Sequence, residues 1–191
     1  LATAIRLYRA AIRRGGSHLP VETGFTLHNN LGRIFSQTGD LSGARKHLDQ
    51  AAKLAAQLGR NKLGYVTHNQ ATVALRAGSI TDALRWFDEA ERILRDVGMP
   101  LAEHYMERFD AFMALRLLDE AIDASERAIT EFEQGSFTLL VGEARLRQAR
   151  AFLAAGHRDD ALISAARAAK ELTTARRVAW CAQADLVQLT A

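Results

Sequence analysis

Apolar residues recur along this chain in one short pattern: Ala, then a packing residue four positions on, then Ala three further. It occurs as Ala4-Tyr8-Ala11, Ala44-Leu48-Ala51, Ala83-Phe87-Ala90, Ala121-Ser125-Ala128 and Ala161-Ala165-Ala168, with first residues 40, 39, 38 and 40 apart. Positions i, i+4 and i+7 share one helical face, and a small residue at each end of the triplet lets a neighbouring helix come close. Each triplet therefore predicts a packing helix, and the steady period predicts a repeat. A second amphipathic segment precedes the complete triplets across short turns, Thr38-Gly39-Asp40, Ala77-Gly78-Ser79 and Ala155-Gly156-His157. There Gly accepts the left-handed conformation that ends a helix. Gly59, Gly98 and Gly135 punctuate the ends of second helices, and Pro20 and Pro100 begin first helices. The predicted unit is helix, turn, helix, longer loop.

Composition narrows the picture to an all-α chain. The 191 residues are 48% apolar with only two Pro, and Ala, Leu and Arg are strong helix formers, so helix is expected nearly throughout. A single Cys181 cannot form an internal disulfide. No basic-apolar-small leader or long uncharged apolar run announces secretion or a membrane span, so a cytoplasmic location is expected. The formal charge is +3, with 21 Arg against 4 Lys, and the pI is about 9.3. The basic residues are interspersed with acidic ones, so nucleic acid is permitted but not indicated.

The run Leu31-Gly32, Phe35, Gly39, Ala44, Leu48, Ala51 resembles the tetratricopeptide (TPR) signature at its usual internal spacing. The next unit keeps Ala71, Ala74, Gly78, Ala83, Phe87 and Ala90, and the last full unit keeps Ala149, Phe152, Gly156, Ala161 and Ala168. The unit between them departs: Phe109, Phe112, Ala121 and Ala128 are present, but Arg116 replaces the turn Gly and Ser125 the bulky residue. The resemblance implies a right-handed α-solenoid of antiparallel helix pairs, about five repeats longer than the usual ~34 residues. Its boundaries are 1–18 for the second helix of a truncated repeat, then 19–59, 60–98, 99–136 and 137–175, and 176–191 for the first helix of a truncated or capping repeat. Residues 28–59, 74–98 and 110–129 further resemble the TPR region preceding a CHAT protease-like domain in actinobacterial proteins; similar repeats occur in signal-transducing ATPase regulators of those bacteria. The chain begins without Met and ends on an unpaired first helix near Ala191. Val178, Trp180, Leu186, Val187 and Leu189 would leave an apolar face there, so we expect a fragment, a proteolysed remnant or a chain that covers this end by association.

In TPR arrays the first helices line a concave groove, and the resemblance implies a protein or peptide ligand within it. The residues placed to project are Thr26, Asn29, Asn30, Arg33 and Ser36, then Tyr65, His68, Asn69, Thr72 and Leu75. They continue with Glu103, Met106, Asp110 and Met113, then Glu143, Leu146, Arg147, Arg150 and Leu153. Asn30 and Asn69 fall where peptide-binding TPR proteins often use an amide to hold the ligand backbone; alternatively, each ties its helix to the preceding one. Arg33, Arg147 and Arg150 suit a carboxylate, although solvated surface arginine is the commoner case. The Lys, Asn, Asn, Lys, Arg pattern of chaperone-tail-binding TPRs is not reproduced. The candidate partner-binding set is Asn29, Asn30, Arg33, Tyr65, His68, Asn69, Met106, Asp110, Arg147 and Arg150.

Catalytic, cofactor and metal chemistry find no motif. Cys181 lies beside Trp180 in an Ala-rich helix, where a buried thiol is the usual explanation, and His28 and His68 come from separate repeats without a third ligand. There is no phosphate-binding GxxxxGK[ST] loop. The phenylalanines read mostly as core, Trp86 as an anchor on a loop or outer surface, and Asp88-Glu89-Glu91 and Glu131-Glu133 as solvated charge. The expected function is a protein- or peptide-binding scaffold, the sensor or partner-recognition region of a larger signalling or protease-like polypeptide with a fused or associated effector. A nucleic-acid-binding α-solenoid and the TPR region of an ATPase regulator are the alternatives.

Overall fold

The computed structural model describes residues 1–174 and 178–190; the side chains of Ser17, Val178 and Ala179 lie outside that description, as does Ala191. Val178, expected on the terminal apolar face, is thus not placed. The described residues form α-helices without a strand: α1 (Ala2–Gly15), α2 (Val21–Thr38), α3 (Leu41–Leu58), α4 (Arg60–Arg76), α5 (Ile80–Asp96), α6 (Ala102–Ala114), α7 (Leu118–Gln134), α8 (Thr138–Ala155), α9 (Arg158–Thr174) and α10 (Val178–Thr190), with a short 3-10 turn at Gly16–His18. Two compact units result, Leu1–Met99 and Pro100–Ala191. In the first, α2 packs on α3, α3 on α4 and α4 on α5, with α1 against α2. In the second, α6 packs on α7, α7 on α8, α8 on α9 and α9 on α10.

The Ala triplets of α3, α5, α7 and α9 are sealed: each of their residues is at most 1% exposed. The triplet of α1 is only half-buried. Close approach is what the small residues permit. A Cβ added at Gly32 of α2 would sit 2.5 Å from Leu48 Cγ, and one at Gly64 of α4 would sit 2.7 Å from Leu94 Cδ2. Ser125, which takes the bulky position in α7, is fully buried, and its hydroxyl donates to the Ile122 carbonyl at 2.6 Å, so no polar group is stranded.

Five helix ends share one closing geometry. A residue with positive φ follows the helix, and the next N–H returns to a carbonyl five residues back: Ser79 to Ala74, Met99 to Leu94, Leu117 to Phe112, Phe137 to Phe132 and His157 to Phe152, each at 2.9 Å. Gly78, Gly98 and Gly156 provide that φ in three cases, but Arg116 (60°) and Ser136 (58°) do so in the others. The unit lacking its turn Gly therefore keeps the same helix ending, with Arg in the left-handed region. Gly135 ends α7 as expected but in the right-handed region, and Ser136 makes the left-handed turn. The prolines also stand outside the helices; Pro20 is the extended residue before α2, and Pro100 precedes Leu101 at the start of α6.

Candidate functional site

The first helices α2 and α4 meet along a polar seam. Lys62 Nζ pairs with Glu22 Oε1 at 3.2 Å, Asn69 Nδ2 donates to Asn29 Oδ1 at 2.8 Å, and Arg76 Nη1 donates to the Ser36 carbonyl at 2.8 Å. The partners are 40 residues apart in each case, and successive rungs are seven residues apart on both helices, which returns each to the same face after two turns. Lys62 also lies 5.6 Å from the Phe25 ring centroid, so its stem covers a core aromatic while its charge reaches Glu22. Sequence reasoning named Asn29 and Asn69 but missed Glu22, Lys62 and Arg76. Opposite charges offset by 40, the interval between the first two Ala triplets, were the signal that could have found them.

This seam fixes what the expected site residues do. One N–H of Asn69 is spent on Asn29, so the amide ties α4 to α2. Asn30 is half-buried on α2 and forms no side-chain hydrogen bond among the described residues. Arg33 and Tyr65 are exposed. His68 is buried, with its ring edge-on to Phe87 at 5.8 Å, so it packs the α4/α5 pair. Leu146 behaves likewise: it is 2% exposed within the α8–α10 core. Both follow from their place on the helix, where the inner edge of the expected groove face turns toward the second helix of the pair.

In the second unit Arg147 of α8 reaches Asp110 of α6, Nε to Oδ1 at 3.5 Å. Its Nη1 is buried without a hydrogen-bond partner. Met106 and Met113 of α6 are half-buried beside an exposed Asp110, and Arg150 is exposed. Arg147 thus commits its Nε to Asp110 and keeps Nη1 enclosed, with its side chain 25% exposed.

The acidic runs are engaged rather than merely solvated. Glu91 is 7% exposed and pairs with Arg95. Glu131 accepts the Leu101 N–H at 3.3 Å, and Glu133 pairs with Arg145, which also binds Glu171 at 3.0 Å. Burial raises the Glu171 carboxyl above its ordinary value, against the lowering effect of Arg145. Phe137, read as core, is 57% exposed. Trp86 is half-buried and lines an open groove of about 790 Å³ with Leu63, Ile93 and Arg85, whose guanidinium lies 5.7 Å from its ring centroid.

Histidine chemistry centres on α2 and α3. His28 and His47 approach through their Nδ1 atoms at 2.9 Å, and His47 stacks on Phe35. Burial lowers the pKa of His28; burial, then the charges of His28, Arg9 and Lys46, push His47 down to about 4. Among the described residues no group of three or more His, Cys, Asp or Glu could hold a metal ion. Cys181 is half-buried against the α8–α10 core, with its Sγ 3.5 Å from the Thr173 hydroxyl. No described helix is long and apolar enough to cross a membrane.

Comparison with known proteins places this geometry. Residues 24–96 match the tetratricopeptide repeat family model. No curated protein matches the sequence. Among solved structures, BtubC (BKLC) from P. vanneervenii superposes with a TM-score of 0.76 at 19% identity, covering 91% of this chain and 72% of that one. A Podosopora anserina putative kinesin light chain with nearly identical TPR-like repeats superposes with a TM-score of 0.60 at 16% identity, covering 84% of this chain and 93% of that one. A second structure of those repeats gives 0.59 at 17% identity, with 85% and 92% covered. The chain is thus all-α with a TPR-like fold, and over residues 24–96 it is similar in sequence to tetratricopeptide repeats.

Proposed function

We propose that the chain is a protein- or peptide-binding scaffold whose ligand lies along the polar faces of first helices. In this reading it is the sensor or partner-recognition region of a larger cytoplasmic signalling or protease-like polypeptide, of the kind in which TPR repeats precede a CHAT domain. The observation that carries the reading is the ordered α2/α4 seam. Its rungs hold two polar helix faces in fixed register, leaving Asn30, Arg33 and Tyr65 beside them. A primary amide matches a peptide group as donor and acceptor at once, and a preset groove lowers the ordering cost of binding. The partly exposed guanidinium of Arg147 supports an acidic or carboxylate-bearing ligand in the second unit. TPR repeats are typically non-catalytic, in keeping with a binding role.

The nucleic-acid alternative needs a continuous run of uncommitted cations, yet Arg60, Arg85, Arg92, Arg95, Arg127 and Arg145 are each paired with a carboxylate. Affinity capture from native lysate, at low and high salt, tests the reading with the wild-type chain and with Asn30→Ala/Arg33→Ala and Arg147→Ala variants. A protein retained at high salt by the wild type and lost by the variants, with unchanged melting temperatures, is the expected result. Capture of nuclease-sensitive nucleic acid, or of a protein indifferent to all three substitutions, would overturn it.

A further inference from the structure

The helix α3 carries on its outer side an open groove of about 550 Å³ bounded at one end by Leu41 and Ala77. Arg45, Lys46 and Lys53 line it, and all three are exposed. None forms an ion pair with any described residue. The one carboxylate in the lining, Asp49, accepts a hydrogen bond from Gln70 Nε2 at 3.0 Å, which turns it toward α4.

The matching surface of α5 is charged differently. There Arg85 pairs with Asp82 at 3.0 Å, and Arg92 pairs with Glu89 at 2.6 Å and Asp96 at 3.6 Å. The cations of α5 are thus neutralised within their own helix, at spacings of three and four residues. Those of α3 form no such pair: the one acid at helical spacing, Asp49, lies four residues after Arg45, three after Lys46 and four before Lys53, and accepts from Gln70 instead. Asp49 is the sole acid within reach, against three cations.

We propose that this groove on α3 is a second docking surface, separate from the first-helix face, that receives an acidic segment of a partner protein. Charge complementarity sets the occupant. Arg45 to Lys53 spans about 12 Å along the helix, the length over which two or three carboxylates of a short segment can be met. Three cations can neutralise only about three phosphates, fewer than the roughly six to ten contacts of a strongly salt-dependent nucleic-acid binder, and Asp49 in the middle opposes a continuous phosphate backbone. Leu41 and Ala77 offer an apolar end for a neighbouring side chain of the segment. The exposure of all three cations predicts fast association and strong salt sensitivity, since charges in solvent are screened within about a Debye length of 8–10 Å.

The test uses fluorescence anisotropy of a labelled glutamate-rich peptide, with a labelled DNA oligomer as the competing class. Binding to the wild type at low salt is expected to weaken at least about tenfold in R45E/K46E/K53E and to vanish by about 0.5 M salt. R85E/R92E, which reverses charges already paired within α5, is expected to bind like the wild type. Circular dichroism checks that every variant is folded. The proposal is overturned if the wild type does not bind the peptide, if the triple variant binds it unchanged, if R85E/R92E loses as much, or if DNA binds more tightly through the same three residues. Failure of the first-helix reading leaves these outcomes untouched, because Arg45, Lys46 and Lys53 all lie on α3.

Discussion

In Leu1–Met99 the packing position of the second helix is filled by Leu48 and Phe87; in Pro100–Ala191 the same position holds Ser125 and Ala165, and all four are at most 1% exposed. Both units seat a leucine against a first-helix glycine, Leu48 on Gly32 and Leu94 on Gly64 in the first and Leu172 on Gly142 in the second, so the difference lies at the packing position itself. There the second unit places a hydroxyl and a methyl where the first places a leucine and a ring. The polar seams differ likewise: α2 and α4 share rungs at 2.8–3.2 Å, whereas Arg147 reaches Asp110 at 3.5 Å. One repeat pattern is thus built in two ways. At the packing position, the first unit is sensitive to loss of volume and the second to its gain.

The sharpest way to break that comparison is truncation at the packing position. Phe87→Ala is expected to cost about 3–5 kcal/mol, because it removes a fully buried ring and leaves a cavity. Ser125→Ala should stay within about 1 kcal/mol, since the hydroxyl only supplements a helical carbonyl. Urea unfolding of both variants measures the gap, and equal costs would dissolve the distinction. The converse change, Ala165→Leu, should destabilise by about 1–3 kcal/mol through overpacking. Gly32→Ala is expected to lie in the same range, since its Cβ would meet Leu48 Cγ at 2.5 Å and the Ala44 carbonyl at 3.3 Å, leaving little room for relaxation.

Much of this was legible in the chain itself. The triplets located α3, α5, α7 and α9, because a small-large-small face at helical spacing has few other uses. The turn at Arg116 was not legible. Only its φ shows that an Arg accepts the left-handed region there, since the Leu117 to Phe112 hydrogen bond and the packing on either side over-determine the ending. The candidate site was legible in part. Aligning units by 39 residues set Asn30 against Asn69, whereas the seam pairs residues offset by 40, so Asn69 meets Asn29. A one-residue error rotates a helix by about 100°, enough to confuse a groove-facing side chain with one facing the next helix. His68 and Leu146, both buried, show the same sensitivity.

The left-handed turns offer a gain rather than a loss. Arg116→Gly should stabilise the second unit by about 1 kcal/mol, because Gly adopts positive φ without the Cβ clash, offset in part by the greater freedom of unfolded Gly. Gly78→Arg, which installs in the first unit what the second tolerates, should destabilise by a similar amount. Thermal melts of the pair would show whether the two units accept the exchange symmetrically.

The smallest expected effect is one of pH, and it comes from the histidine pair of the first unit. His28 and His47 hold pKa values below the ordinary 6.5, His47 at about 4, with burial the leading cause for both. Below pH 6.5 the unfolded chain therefore binds protons that the folded imidazoles still refuse, so protons favour unfolding. The stability contributed by the neutral pair is complete above pH 6.5 and declines as pH falls toward 4. The effect is modest because both rings remain partly open to solvent, which screens the charges of Arg9 and Lys46. Urea midpoints measured between pH 7.5 and 5 on the wild type and on His28→Gln/His47→Gln should show the decline flattened in the double variant. Parallel slopes would assign the pH dependence to other groups, and the Nδ1–Nδ1 contact would then be a packing contact without titration consequences.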